Sequence, residues 1–212
     1  MKIISISDTH GLHRRVEIEE TDLLIFAGDC MTSGHDDKEL ISFLQWFDRQ
    51  PAKYKVMIAG NHDRFIENFS KVFKKLLLDY PSIIYLEDSW VEIEGYKIYG
   101  TPHSKIFHNW AFNRSSEDLY HLYGKIPVDT DILISHAPQY GVLDELVDRQ
   151  KVGEYHLSSQ MKCLGNLKLH VFGHIHNGFG MVKPDGFNYI SINASQVNES
   201  YRLTNFPIKI NI

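Results

Sequence analysis

Aspartate, asparagine and histidine residues occur in five short clusters, each directly after an apolar run of the sequence. The cluster Gly60-Asn61-His62-Asp63 follows the apolar residues 56–58 and precedes a helix-like segment. Gly60 frees the backbone to turn tightly, so the side chains after it point outward at the carboxyl edge of a predicted sheet, where open α/β sheets keep their sites. The other four clusters are Asp8-Thr9-His10, Gly28-Asp29, Ser135-His136 and Gly173-His174-Ile175-His176.

The residue types in these clusters suit divalent cations. Asn61 offers a neutral oxygen ligand, His62 can move a proton near neutral pH, and Asp63 is available to orient the His62 imidazole. Carboxylates, amides and imidazoles together suit Mn, Fe or Zn better than Mg, which prefers oxygens and water. Seven candidate ligands are too many for one ion, so we expect two ions about 3.5–4 Å apart that share Asp29. The candidates are Asp8, His10, Asp29, Asn61, His136, His174 and His176.

Each cluster by itself also has an ordinary structural explanation. Asparagine and aspartate favour turns and helix caps, and a single histidine is more often packed or capping than a metal ligand. Asp29, however, precedes residues 30–32, which offer no helix to cap. The presence of such residues at five predicted strand ends therefore favours a metal site over five separate turns.

Residues 100–123 are rich in aromatic, histidine and asparagine residues and show no clear period. This composition is typical of a long functional loop followed by a short helix. Four side chains of the loop are candidates to border a substrate pocket, although an aromatic loop more often packs against its sheet: His103, His108, Trp110 and Asn113. The other histidines are expected in exposed loops or on the surface: His13, His35, His121, His156 and His170.

Composition narrows the class of protein. The 212 residues, 43% hydrophobic and 23% charged, are sufficient for one domain with a sizeable core, and we expect a single domain over residues 1–212. A formal net charge of -5 provides no broad basic field for duplex nucleic acid. Cys30 and Cys163 form no CxxC pair, so neither a disulfide framework nor a cysteine zinc site is indicated, and a reducing cytoplasm fits best.

The sequence also argues against a membrane segment. No apolar run approaches the roughly 18 residues of a membrane span. The N-terminal residues lead directly into a strand-like run that ends in Asp8 and His10, two of the candidate ligands. We therefore expect no cleaved signal peptide, because cleavage would remove ligands.

Short apolar runs alternate with amphipathic segments, which predicts an α/β fold. Helices are predicted over residues 37–50, 65–78 and 155–164, with a shorter one before residue 123. Residues 83–99 change to an antiparallel pattern, with Glu94-Gly95 as a tight hairpin turn. Strands are predicted over residues 2–7, 22–27, 54–59, 83–86, 89–94, 96–99, 131–135, 167–172, 178–183, 187–193 and 207–212.

The five clusters, in this order, resemble the motifs of the calcineurin-like metallophosphoesterase family. Residues 100–102, 110–113, 131–138, 172–176 and 192–195 are similar to the small MPPED-type subfamily. The resemblance extends from Asp8 to about Asn205. It implies a four-layer αββα sandwich of two mixed β-sheets flanked by helices, with a dinuclear metal site.

The resemblance also implies a role for each matching residue. His62 would be the catalytic histidine beside the phosphoryl group or leaving oxygen, with Asp63 behind it, and Asn61 would contact substrate as well as metal. His103 and Asn113 are our further substrate-binding candidates. One metal would take Asp8, His10, Asp29 and His176, and the other would take Asp29, Asn61, His136 and His174.

The function that follows is a metal-dependent phosphodiesterase acting on small phosphodiesters, for which the subfamily resemblance indicates cyclic nucleotides. Two divalent ions, Mn first and Fe or Zn as alternatives, would lower the pKa of a bridging water enough to supply hydroxide near neutral pH. His62 would donate a proton or a hydrogen bond to the leaving oxygen.

Three alternative functions are also considered from the sequence. A phosphomonoesterase or protein phosphatase would need a basic clamp, for which Arg14, Arg64 and Arg114 are the candidates. A nuclease on long nucleic acid is disfavoured, because no added capping domain or basic surface is evident. A non-catalytic scaffold is disfavoured because every ligand position and His62 are present, although a fold alone never establishes activity.

Overall fold

Runs of isoleucine, leucine, valine and phenylalanine form the strands at the centre of the molecule. The computed structural model describes residues 1–212. The strands are β1 (Lys2–Ile6), β2 (Thr21–Ala27), β3 (Ala52–Ile58), β4 (Ile83–Tyr85), β5 (Ser89–Ile93), β6 (Tyr96–Thr101), β7 (Ser104–Lys105), β8 (Asn113–Arg114), β9 (Ile132–Ser135), β10 (Leu169–Phe172), β11 (Gly180–Val182), β12 (Ile190–Asn193) and β13 (Ile208–Asn211). The helices are α1 (Asp37–Asp48), α2 (Arg64–Asn68), α3 (Ser70–Leu76), α4 (Ser116–Tyr123) and α5 (Tyr155–Met161).

The strands form two mixed sheets. The first sheet has the order β13-β1-β2-β3-β4, and only β13 runs antiparallel to its neighbour. The second sheet has the order β11-β12-β10-β9-β6-β5, with the antiparallel pairs at its two edges. The parallel strands at the centre of each sheet are buried on both faces, which explains their nearly continuous apolar sequences.

Three apolar layers hold the sheets and helices together. Ile25 and Val56 of the first sheet pack with Ile134 and Val171 of the second in the layer between the sheets. The helices α1, α2 and α3 cover the outer face of the first sheet, and α4 and α5 cover the outer face of the second. The predicted αββα sandwich is therefore confirmed. None of the helices combines the length and apolar character needed to cross a bilayer.

Two predictions about local structure need correction. The helix predicted over residues 65–78 divides into α2 and α3, because Phe69 leaves the helical region with φ −123° and ψ 41°. Ile66 and Phe73, on either side of this break, both reach the core. Residues 83–99 are not one antiparallel unit, since β4 pairs in parallel with β3 in the first sheet, whereas β5 and β6 form the hairpin at the edge of the second.

The expectation that the remaining histidines are exposed is wrong for two of them. His13 contacts the Ser42 hydroxyl at 3.0 Å and is buried beside Phe43. His170 lies within β10, fully buried, with its Nε2 2.7 Å from the Ser135 hydroxyl. Burial lowers the pKa of His170 to about 3. A strand whose two faces are both covered buries every residue, so the expectation that a histidine lies on the surface does not hold in such a strand.

Burial of neutral His170 makes the stability of the protein dependent on pH. The unfolded chain binds a proton at this position below about pH 6.5, whereas the folded chain does not until the pH falls to about 3. The stabilisation is therefore complete above pH 6.5 and is lost as the pH falls. Between pH 7.5 and 5.0 we expect the metal-free protein to lose roughly 2 kcal/mol through this residue alone.

Urea unfolding of the wild-type protein and a His170→Gln variant at both pH values measures this contribution. On acidification the free energy of unfolding should fall less in the variant than in the wild type, by roughly 2 kcal/mol. His121→Gln, on the exposed face of α4, is the control and should behave as the wild type. Equal losses in the wild type and His170→Gln would contradict the assignment.

Candidate metal centre

All five polar clusters lie in the turns that follow parallel strands, and these turns meet at one edge of the sandwich. The turns after β1, β2 and β3 come from the first sheet, and those after β9 and β10 come from the second. The His174 backbone N–H donates to Asp8 Oδ1 at 3.0 Å, and the His62 N–H donates to Asp29 Oδ1 at 2.7 Å. Backbone groups of neighbouring turns therefore hold the two carboxylates in place.

Four of the candidate ligands have a left-handed backbone conformation. The φ values are 50° for Asp8, 41° for His10, 61° for Asp29 and 68° for His174. Residues other than glycine adopt this conformation in only a few per cent of cases, at a cost of about 1–2 kcal/mol each. Such strain persists where the surrounding structure requires it, and it is concentrated at functional sites.

One group of ligand atoms gathers around Asp8, His10 and His176. His10 Nε2 lies 3.3 Å from His176 Nε2, and His176 Nε2 lies 3.7 Å from Asp8 Oδ1. One ligand atom from each of the three residues lies within 4.8 Å of the others. Asp29 borders the group, because its Oδ2 is 3.9 Å from His10 Nε2.

A second group gathers around Asn61. Its Oδ1 lies 2.8 Å from His136 Nε2 and 2.7 Å from His174 Nδ1. Asp29 Oδ2 is 3.3 Å from the same His136 nitrogen. The Asp29 carboxylate therefore lies between the two groups, and all seven predicted ligands come together.

The donor set fits two cations. His10 Nδ1 lies 3.1 Å from the Met31 carbonyl, and His136 Nδ1 lies 2.9 Å from the Ala27 carbonyl. A carbonyl only accepts, so these contacts place a proton on Nδ1, and Nε2 of each ring faces the site. In the neutral imidazole the Nε2 lone pair is then available to a cation, as a metal ligand requires.

The pKa values of the buried ligand histidines shift in two directions. Burial lowers the pKa of His10 to about 4 and that of His174 to about 3, so both are neutral, as metal ligands must be. Burial alone would also lower the pKa of His136, but the Asp29 and Asp8 carboxylates outweigh it and raise that pKa to about 9. The field of the two carboxylates therefore favours a positive charge at this point.

Asp63 has a different role from the predicted one. Its carboxylate accepts hydrogen bonds from the backbone N–H groups of Asp29 at 2.9 Å, Gly60 at 2.8 Å and Met31 at 3.0 Å. Cys30 Sγ, at 3.2 Å, is a fourth donor. The prediction that Asp63 orients the His62 ring is corrected, because adjacent side chains of a tight turn point in different directions. Asp63 instead holds the turn that carries Asp29.

Two residues that the sequence did not single out as its partners, Thr32 and Trp110, hold His62. Its Nδ1 lies 2.6 Å from the Thr32 carbonyl oxygen, and Thr32 is fixed in turn by Glu39, which accepts its N–H at 2.9 Å and its hydroxyl at 2.5 Å. The imidazole stacks on Trp110, with ring centroids 4.0 Å apart and an interplanar angle of 25°. The Arg64 guanidinium lies 4.5 Å from the centre of the Trp110 ring. The proton on Nδ1 and the ring plane of His62 are thus both defined.

A cavity of about 440 Å³ opens beside the metal centre. Asn61, His62, His108 and Trp110 are among the predicted residues that line it. The sequence did not indicate several others, which come from loops distant along the chain: Lys105, Phe107, Leu146, Val152, Glu154, Glu199 and Tyr201. Their positions depend on how the loops fold over the sheet edge, and no local pattern of residue types marks them.

Two predicted substrate contacts lie outside the cavity lining. His103 is buried, and its Nε2 lies 2.7 Å from Asp88 Oδ2. The Asn113 side-chain amide donates to the Phe107 carbonyl at 2.9 Å, and its oxygen accepts from the Ser104 hydroxyl at 3.3 Å. Asn113 bonds within the long loop and His103 joins the loop to Asp88, so both side chains already have partners away from the cavity.

The fold and the metal-ligand groups together define a metal-dependent phosphoester hydrolase. The model of the calcineurin-like phosphoesterase family matches residues 1–178, and the chain belongs to this family. Metallophosphoesterase domain-containing protein 1 of Homo sapiens is 33% identical over 233 residues, covering 100% of this chain and 71% of the human protein. The Mus musculus protein of the same name gives the same values. The dinuclear divalent metal site of this family corresponds to the two ligand groups.

Solved structures share the fold at low sequence identity. The crystal structure of TT1561 of Thermus thermophilus aligns with a TM-score of 0.63 at 13% identity. The alignment covers 99% of this chain and 98% of that protein. At this identity the likeness shows the fold alone.

The close packing of Gly60 against Asp29 makes the centre sensitive to one methyl group. A Cβ at Gly60 would lie 2.3 Å from Asp29 Oδ1 and 2.6 Å from His136 Cε1. Gly60→Ala should therefore displace the shared carboxylate and weaken metal binding by about 10–100-fold. Metal titration of the purified apoprotein measures this loss.

The matched control is Gly165→Ala, where an added Cβ meets nothing within 4 Å. It should bind two equivalents of metal with wild-type affinity. Wild-type affinity in Gly60→Ala would show that the Asp29 carboxylate has room to move.

Proposed function

We propose that this protein is a phosphodiesterase that hydrolyses small phosphodiesters and uses two Mn²⁺ ions. The proposal rests on the charge of the cavity. Lys105 is the only lysine or arginine in the lining, and its Nζ donates to the Val152 carbonyl at 2.7 Å. Glu154 and Glu199 add two carboxylates. A phosphomonoester carries nearly two negative charges near neutral pH, whereas a diester carries one, so this cavity favours the diester.

The three arginines that were candidates for a monoester clamp lie elsewhere. Arg64 covers Trp110 and donates to the Asn109 carbonyl at 2.5 Å. Arg114 pairs with Glu67 at 2.9 Å. Arg14 is exposed and does not line the cavity. A second phosphate charge therefore has no dedicated partner outside the metal centre.

The residues of the chain divide the work of such a reaction. Two divalent ions bound by the seven ligands supply Lewis acidity that activates water and neutralises phosphoryl oxygens. The Thr32 carbonyl holds one proton on His62 Nδ1. The imidazolium form carries a second proton on Nε2, which it would give to the leaving oxygen and so return to the neutral imidazole. Trp110 keeps the His62 ring in one plane. Asp63 keeps the Asp29 turn in the geometry that both ligand groups require.

The apolar part of the lining supports a substrate with a flat, weakly polar group. Phe107, Leu146, Val152 and Ile175 contribute apolar surface beside the metal centre. Such side chains exclude water and accept an aromatic ring by stacking or edge contact. Cyclic nucleotides are small diesters with an aromatic base, so they are the first natural class to test. The net charge of -5 makes long nucleic acid a poor substrate.

The preference for diesters is tested by comparing two aryl esters. Chelator-treated protein should be inactive and should recover with Mn²⁺. The restored enzyme should then cleave bis-p-nitrophenyl phosphate with a kcat/KM about tenfold higher than that for p-nitrophenyl phosphate, which corresponds to about 1.4 kcal/mol of unfavourable charge interaction for the monoester.

Two other outcomes would contradict the proposal. Faster cleavage of the monoester would favour a phosphomonoesterase and contradict the proposal. Absence of turnover of both esters, with two Mn²⁺ ions bound, would favour a non-catalytic scaffold. A panel of cyclic nucleotides follows only if the diester is preferred.

Substitution of His62 separates the effect on turnover from the effect on metal binding. His62→Ala should keep two metal ions but lose about 10²–10⁴-fold in kcat, with the larger loss on diesters that have poor leaving groups. Asp29→Ala should lose metal as well, because both ligand groups share that carboxylate. Steady-state rates and metal content of the same preparations test both statements. His121→Ala, outside the cavity lining, is the control, and an unchanged rate for His62→Ala on a poor leaving group would exclude the acid role.

A further inference from the structure

Tyr201 is a cavity residue from a part of the chain that the family model does not match, since the match ends at residue 178. It lies in a tight turn after β12. Asn198 Oδ1 accepts the N–H groups of Ser200 at 3.0 Å and Arg202 at 3.1 Å, and the Tyr201 N–H donates to the Asn198 carbonyl at 2.8 Å. Four backbone and side-chain hydrogen bonds, including Asn198 N–H to the Arg202 carbonyl, therefore fix this turn.

The turn forces Tyr201 into a conformation that L residues rarely adopt. Its φ is 55°, in the left-handed region, although the side chain is large and aromatic. Residues such as glycine or asparagine occupy this region much more easily. A bulky residue held there by its surroundings is typical of sites where a side chain must be aimed at a ligand.

The Tyr201 ring lies over the first ligand group. Its centroid is 4.8 Å from that of His10 and 5.3 Å from that of His176, with edge-to-face angles of 76° and 90°. The His62 ring is 6.0 Å away. The tyrosine therefore contacts two metal-ligand histidines and lies near the predicted catalytic histidine, at the point where the cavity meets the metal centre.

The hydroxyl of Tyr201 has no hydrogen-bond partner in the protein, and the side chain is only half-buried, with the residue 47% exposed. A phenol is protonated near neutral pH and is a good donor to an anionic oxygen. Tyr201 therefore brings to the cavity lining a donor without a protein partner, which suits an oxygen of the substrate.

We propose that Tyr201 is a substrate-binding residue whose hydroxyl donates a hydrogen bond to a phosphoryl or ester oxygen. This inference rests on the proposed function. The ring alone would equally serve to cover His10 and His176, and that structural role predicts no effect of removing the hydroxyl. The two roles are therefore separated by Tyr201→Phe, which keeps the ring and removes only the donor.

The test uses the manganese-loaded protein, after unbound Mn²⁺ is removed, with inorganic phosphate as the probe. Isothermal titration calorimetry should show that Tyr201→Phe binds phosphate about tenfold more weakly than the wild type, the effect of losing one hydrogen bond to a charged group. The variant should retain two manganese ions and the wild-type melting temperature. Its kcat/KM for the diester should fall by a similar factor.

Tyr120→Phe, on the exposed face of α4, is the matched control and should bind phosphate as the wild type does. Wild-type phosphate affinity in Tyr201→Phe would overturn the proposal, and so would loss of manganese from that variant, since a structural role then explains the residue. The outcome is separate from that of the diesterase proposal. Weakened phosphate binding in an enzyme that prefers monoesters would keep the assignment of Tyr201 and reject the diester preference.

Discussion

The burial of two carboxylates among polar side chains at one sheet edge is the constraint on which the rest of this structure depends. Asp8 and Asp29 are almost fully buried there, and the nearest imidazole nitrogens lie 3.3–3.9 Å from their Oδ atoms. Without a cation, such an arrangement is costly in a medium of low polarisability. Two divalent ions convert the same arrangement into a stable centre. The fold therefore has to hold these groups together before the metal arrives.

The fold meets this requirement mainly through its backbone. Parallel strands of two sheets end at one edge, and their turns exchange hydrogen bonds between backbone N–H groups and the ligand carboxylates. Positive φ angles at Asp8, Asp29 and His174 direct side chains that ordinary turns would direct elsewhere. Gly60 and Gly173 allow backbone to approach the carboxylates more closely than a Cβ permits. Asp63 stabilises the Asp29 turn through three backbone donors.

The cavity surrounds one side of the centre with both charged and apolar groups. Its lining contains the carboxylates of Glu154 and Glu199 and apolar side chains from the loops around Phe107 and Leu146. In the function proposed above, the carboxylates oppose a second charge on the substrate. His62 is held from two sides, by the Thr32 carbonyl and the Trp110 ring. Local hydrogen bonding and stacking thus fix the position of the His62 ring, while loops distant along the chain form the rest of the cavity.

The sequence by itself determined the fold class and the family, and it predicted the ligand set whose side chains the fold brings together. Hydrophobic periodicity locates most strands within one or two residues, and polar residues at strand ends mark the centre because parallel strands share an edge. Only the tertiary structure decided the contacts of Asp63, Thr32 and Tyr201, and the position of His103 and Asn113 outside the cavity. These contacts and positions depend on where a turn directs each side chain and on the packing of segments far apart in the chain, for which local residue patterns carry no signal.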